Sequence, residues 1–181
     1  WIHGGAMSRI RDVIRSYENC RAVLRHGVEI VAVGDPLGAA LNSAIRTAIF
    51  RVDEGSQEVW GDLIRAATVI RWWRITQPQP NAYNSALQVR VEAVHREVNT
   101  LRGRVNDEAL LNQIQSAADA IAESDSPLGE ELLRLAGEVG LQDCVVIARN
   151  NLARAGIRNW LESQGLSVLL PGELDTVSDR I

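Results

Sequence analysis

With 181 residues, 46% of them hydrophobic and 23% charged, the chain has the composition of a globular protein of one domain or one and a half. No apolar run approaches the roughly 20 residues that span a bilayer, and the opening residues lack the charged start and apolar stretch of a secretory signal. Cys20 and Cys144 are too few for a disulfide framework, so a reducing, cytoplasmic location and no membrane partner are expected.

The net charge of −4 conceals a segregation. All nineteen basic residues are Arg. Residues 1–51 hold seven of them against four acids, residues 106–143 hold one (Arg134) against nine, and residues 144–160 hold Arg149, Arg154 and Arg158 with no acid. A polyanion would be drawn to the first or the last of these stretches and repelled by the middle one. The chain starts without Met and stops abruptly at Ile181, which suggests an internal piece of a larger protein.

Residues 7–25 have the three- and four-residue apolar spacing of an amphipathic helix, with Gly27 behind it as a stop. Val28–Val33 (VEIVAV) reads as a strand. Asp35 and Pro36 are suited to the N-cap and first turn of a helix over about Leu37–Val52. Gln57–Ile75 is a third helix, apolar through Val59, Trp60, Leu63, Ile64, Ala67, Ile70 and Trp73. Successive helical residues point about 100° apart, so Trp72 and Trp73 cannot share the centre of one face. The peripheral one, with Arg71 and Arg74 nearby, is either an ordinary packing residue or a stacking platform for bases.

Gln77-Pro78-Gln79-Pro80 breaks the helix and is the best candidate for a domain boundary. Beyond it Leu87, Val91, Val94, Val98, Leu101 and Val105 repeat at alternating steps of four and three, a heptad seam. A second seam runs through Leu110, Ile114, Ala117 and Ile121 after a cap at Asn106-Asp107, and Ser126-Pro127 caps a shorter helix. Two seams joined by a short polar turn predict an antiparallel helical hairpin, although the first could instead pair between subunits. His95 lies off the seam with no further ligand at metal spacing.

The last quarter reads as strand, helix, strand. Cys144–Ala148 is a β-prone run, Arg149-Asn150-Asn151 turns polar, and a helix with Leu152, Ala155, Ile157, Trp160 and Leu161 stops at Gly165. Ser167–Leu170 then forms a second β-prone run, closed by Pro171-Gly172. Such a pattern predicts a parallel βαβ unit with both strands buried. The fold expected is therefore α/β and helix-dominated, with a small parallel sheet of about three strands. The divisions are an α/β part at 1–80, an inserted helical hairpin subdomain at 81–140 and the βαβ unit at 141–181.

Chemistry is scarce. The chain has no Gly-x-Ser-x-Gly, no His-Glu-x-x-His, no Cys-x-x-Cys and no Gly-rich phosphate loop, so no catalytic residue and no metal ligand set can be named. Residues 130–181 do resemble the start of the second RecA-like lobe of superfamily 1 helicases of the UvrD/Rep type. The resemblance is carried by Val145-Val146-Ile147-Ala148-Arg149-Asn150-Asn151, by Arg154 and Trp160-Leu161, and by Gly165-Leu166-Ser167-Val168. It implies that Arg149, with Asn151, senses a nucleotide phosphate from the facing lobe. Arg154 and Arg158, one helical turn apart, would contact nucleic-acid backbone. The first lobe's phosphate loop and acidic metal-holding motif are absent from the sequence, so ATP and Mg could serve only together with such a lobe, and the chain would not hydrolyse ATP alone.

Two functions are consistent with this sequence. One is a segment of a nucleic-acid-dependent, helicase-like ATPase. The other is a non-catalytic interaction module that binds a protein partner or self-associates through residues 84–124.

Overall fold

The computed structural model describes residues 29–51 and 57–176. They are helix-dominated, with one small parallel sheet. Six α-helices occur among them: α1 Pro36–Arg51, α2 Gln57–Thr76, α3 Ser85–Leu101, α4 Glu108–Glu123, α5 Pro127–Val139 and α6 Asn151–Leu161. The strands are β1 Val145–Ile147 and β2 Ser167–Leu169. Val33–Pro171 forms one compact unit. The helix expected at residues 7–25 lies outside the described residues.

Four helices make a bundle. Each of α1 to α4 packs against the next, and α4 closes the ring on α1. The start of α1, the end of α2, the start of α3 and the end of α4 meet at one end of the bundle, linked through Asp35, Arg74, Asn84, Asn81 and Ser124. The helices therefore alternate up and down, as short connections demand. Its core takes Leu41, Ala44, Ile45 and Ala48 from α1, Leu63, Ala67 and Ile70 from α2, the expected seam Leu87, Val91, Val94, Val98 and Leu101 from α3, and Leu111, Ile114, Ala118 and Ile121 from α4. On α4 the centre of the buried face is Ala118 rather than Ala117. Leu111 is fully buried as well, because this helix meets two neighbours and needs a broader apolar front than a two-helix seam. The small side chains of Ala44 and Ala48 are fully buried in this core.

The second layer is the βαβ unit. β1 and β2 are parallel, with Val145, Val146 and Ile147 opposite Ser167, Val168 and Leu169. The Ala148 amide extends the ladder to the Leu169 carbonyl at 2.8 Å. Val146 and Val168 face a second core with Ala153, Ile157, Trp160 and Leu161 of α6 and Ala136 of α5.

Three expectations need correction. Among the described residues the sheet has two strands rather than about three. Residues 29–33 carry no strand and Ile30 is 88% exposed, since a β-prone run becomes a strand only where a neighbour completes its hydrogen bonds. The strands are not buried on both faces, because helices cover only one: Val145 and Ile147 are 38% and 49% exposed. Finally, Gln77–Pro80 is not a linker between bodies. Gln77, Pro78 and Gln79 are buried, and the bundle core includes helices on both sides of them.

What buries this segment is close backbone approach. A Cβ on Gly129 of α5 would strike the Pro78 carbonyl oxygen and lie 3.4 Å from the Trp160 ring. A Cβ on Gly156 of α6 would strike Gln79 Nε2, which donates to Gln77 Oε1 at 2.8 Å. Gly129→Ala should therefore lower the thermal midpoint by about 3–10 °C, the equivalent of roughly 1–3 kcal/mol of overpacking in a chain of this size. Gly137→Ala, on the same helix but with nothing near its Cβ, should leave the midpoint unchanged or raise it. Differential scanning calorimetry of both variants checks this.

Candidate functional site

Arg149 leaves β1 at the carboxyl end of the parallel pair. The chain turns there because Asn150 caps α6: its side chain accepts from the Ala153 amide at 2.9 Å, and its carbonyl accepts from the Arg154 amide at 2.9 Å. Of the polar pair that follows Arg149, it is thus Asn150 that is structurally committed. Asn151 is the exposed first residue of the helix.

The Arg149 guanidinium lies over the indole of Trp72, 5.3 Å from the ring centroid. Arg71 lies over the same ring at 5.2 Å. Trp72 is 46% exposed, while its neighbour Trp73 is 8% exposed and donates its indole N–H to Asn84 Oδ1 at 2.7 Å. The 100° turn between successive helical residues separates the pair into one core anchor and one surface ring. Arg71 Nη1 also donates to Asn42 Oδ1 of α1, so α1, α2 and the end of β1 converge on one surface site.

Its electrostatics are one-signed. Neither Arg149 nor Arg71 forms an ion pair with a described residue. Pro36–Arg51 contains no acid, and neither does the stretch of α2 after Asp62. The two guanidiniums stand within about one Debye length of each other, roughly 8–10 Å at physiological salt, so their repulsion is incompletely screened. Cation–π contact offsets part of it, and a bound anion would relieve the rest.

The other arginines singled out in the sequence are placed differently. Arg158 donates to Glu162 Oε1 at 2.5 Å, four residues on, at the C-cap of α6. Arg154 is half-buried and already engaged within the protein. Neither is set up as an uncommitted contact for backbone phosphate. Arg74, read as a neighbour of the tryptophans, is instead 5% exposed and structural. It donates to Asp35 Oδ2 at 2.7 Å and Oδ1 at 3.1 Å, and to the carbonyls of Ser124 and Asp125 at 2.9 and 3.2 Å. His95 pairs with Asp119 at 2.6 Å across α3 and α4. Among the described residues no group of three or more His, Cys, Asp or Glu side chains is gathered, and no helix is long and apolar enough to cross a membrane.

The meeting of Trp72 with Arg149, 77 positions apart, has no signal in local periodicity. The one hint is the Arg71-Trp72 pair within an acid-free run. Comparison with protein-family models, curated proteins and solved structures yields no match to this chain.

Arg149→Ala should leave the far-ultraviolet circular dichroism unchanged and lower the thermal midpoint by no more than about 4 °C, since an exposed cation–π contact stabilises by roughly 0.5–1 kcal/mol. Arg74→Ala should lower it by about 10 °C or more, because removing one partner of a buried pair costs roughly 3–5 kcal/mol. Thermal melts of the two variants side by side make the comparison.

Proposed function

We propose that the chain is a nucleic-acid-binding part of a helicase-like ATPase, in which Arg149 meets phosphate and no nucleotide is hydrolysed by this chain alone. ATP and Mg would enter only with a facing lobe that carries the phosphate loop. The observation that supports the reading is the exposed guanidinium of Arg149, at the carboxyl edge of a parallel strand pair and without an acid partner among the described residues. Ligands of open α/β sheets bind at that edge. Arginine is suited to phosphate because its planar fork stays charged at every working pH and offers two donors to one group.

Self-association through 84–124 is a weaker reading, because its apolar seam is spent inside the bundle. Leu87, Val91, Val94, Val98 and Leu101 are all buried within the chain's own core.

The test is oligonucleotide binding across a salt series. The wild-type chain should bind a labelled oligonucleotide with affinity falling steeply between 50 and 200 mM salt, as counterion release requires. Arg149→Ala should weaken binding about fivefold or more and flatten the log–log slope by about one unit. Arg158→Ala, with its charge already matched by Glu162, should change the affinity by no more than about twofold. A wild-type chain that binds no oligonucleotide at 50 mM salt removes the proposal.

A further inference from the structure

Resting on that nucleic-acid reading, we infer that the outer face of α1 and the Trp72 site form one groove for a single strand, whose bases stack on Phe50 and Trp72 while Arg46, Arg71 and Arg149 meet its phosphates. An open groove of about 500 Å³ runs along α1, lined by Ala39, Asn42, Ser43, Arg46, Thr47 and Phe50. These residues recur at three- and four-residue steps and so share one helix face. Phe50 stands 78% exposed at the far end. At the near end Asn42 accepts from Arg71, whose guanidinium lies 5.2 Å from the centroid of the Trp72 ring; Arg149 lies 5.3 Å from it, and together they leave Trp72 46% exposed. A continuous series of contacts thus joins the groove to the indole.

The composition of this face selects its occupant. Two large aromatic rings are exposed at its two ends, three arginines lie between and beside them, and Asn42, Ser43 and Thr47 supply neutral hydrogen-bonding groups. The segment Pro36–Arg51 brings no carboxylate to it. A surface for an apolar helix would not carry three cations, and a surface for backbone phosphate alone would have no use for exposed rings. Rings interleaved with arginines match a strand whose bases are free to stack and whose backbone is anionic. A duplex fits poorly, since its bases already cover one another and would have to be unstacked to reach Phe50 or Trp72. From Asn42 to Phe50 the helix rises about 12 Å, the length of roughly three or four nucleotides at the 3.4 Å rise of a stacked strand.

The experiment measures fluorescence anisotropy of the full chain with labelled (dT)12, with a 12-base-pair duplex, and with poly-L-glutamate as competitor. The single strand should bind at least tenfold tighter than the duplex. Phe50→Ala and Trp72→Ala should each weaken (dT)12 about 5- to 150-fold, the fold-change equivalent of roughly 1–3 kcal/mol per stacked base, with the salt slope unchanged. Trp72→Phe should restore most of the loss, which a merely structural role for the indole would not produce. Arg46→Ala should flatten the slope instead. If the wild-type chain binds (dT)12 but the two alanine variants bind as tightly as it does, or if duplex binds as well as single strand, the stacking groove is overturned and the phosphate-contacting role of Arg149 stands. If poly-L-glutamate displaces (dT)12 at equal charge concentration, the occupant is an acidic protein segment and this inference is wrong. Absence of any binding by the wild-type chain would dispose of both readings together.

Discussion

The ion pair between the buried Arg74 and the half-buried Asp35 is the constraint on which the arrangement of helices depends. A guanidinium with almost no exposure stabilises a fold only if most of its five N–H groups find acceptors, and here four do: the carboxylate of Asp35 takes two and the carbonyls of Ser124 and Asp125 take two more. Those acceptors belong to the entrance of α1 and the exit of α4, the two helices farthest apart in the bundle's sequence order. The pair therefore closes the ring, holding the first helix against the last at the end where α2 terminates. Ser126, whose hydroxyl faces the Arg74 carbonyl and caps α5 through the Leu128 amide, carries the same junction onward towards the βαβ unit.

Around that pair the helix ends saturate one another. Asn81 donates to the carbonyls of Ile121 and Ala122, which the end of α4 leaves without internal partners, while its own amide donates to Asp125. Gln77 and Gln79 bond to each other inside the protein, although Gln79 Oε1 finds no partner. Polar residues can be buried here because each bond made replaces one lost to water, and glycine at 129 and 156 lets α5 and α6 come close enough to exclude that water. The segment that ends α2 is consequently a closely packed joint rather than a tether.

This joint explains how a surface site can be assembled from remote parts of the chain. Trp73 and Arg74 are turned inward and fixed; Trp72, between Arg71 and them, is turned outward by helical geometry alone. With Gly129 against Pro78 and Gly156 against Gln79, the βαβ unit is held where the end of β1 delivers Arg149 onto the indole. The inward residues set the position, and the outward residues supply an aromatic ring and uncompensated positive charge. Along α5, Arg134 bonds Glu131 and Glu138, holding the Glu131 carboxyl below the usual carboxylate range.

Local periodicity and capping chemistry determined most of the elements. The α3 seam, the Ser126 and Asn150 region turns, the helix after Pro36 and the two parallel strands all follow from spacings of a few residues, because hydrogen bonds within a turn and the pattern of apolar side chains are local properties. Only the tertiary structure decided which faces meet. The same apolar seam that could serve a hairpin or a dimer is shared among four helices. The same β-prone pattern gives strands at Val145 and Ser167 and none at residues 29–33, since a strand needs a partner that its own sequence does not specify. Gln-Pro-Gln-Pro looks like a linker because its polar groups suit water; it is buried because partners distant in sequence satisfy most of them. Arg149 was legible as a charge at the end of a strand, but its contact with Trp72 depends on the packing of α5 and α6 against that buried segment, a long-range geometry that no short window of residues contains.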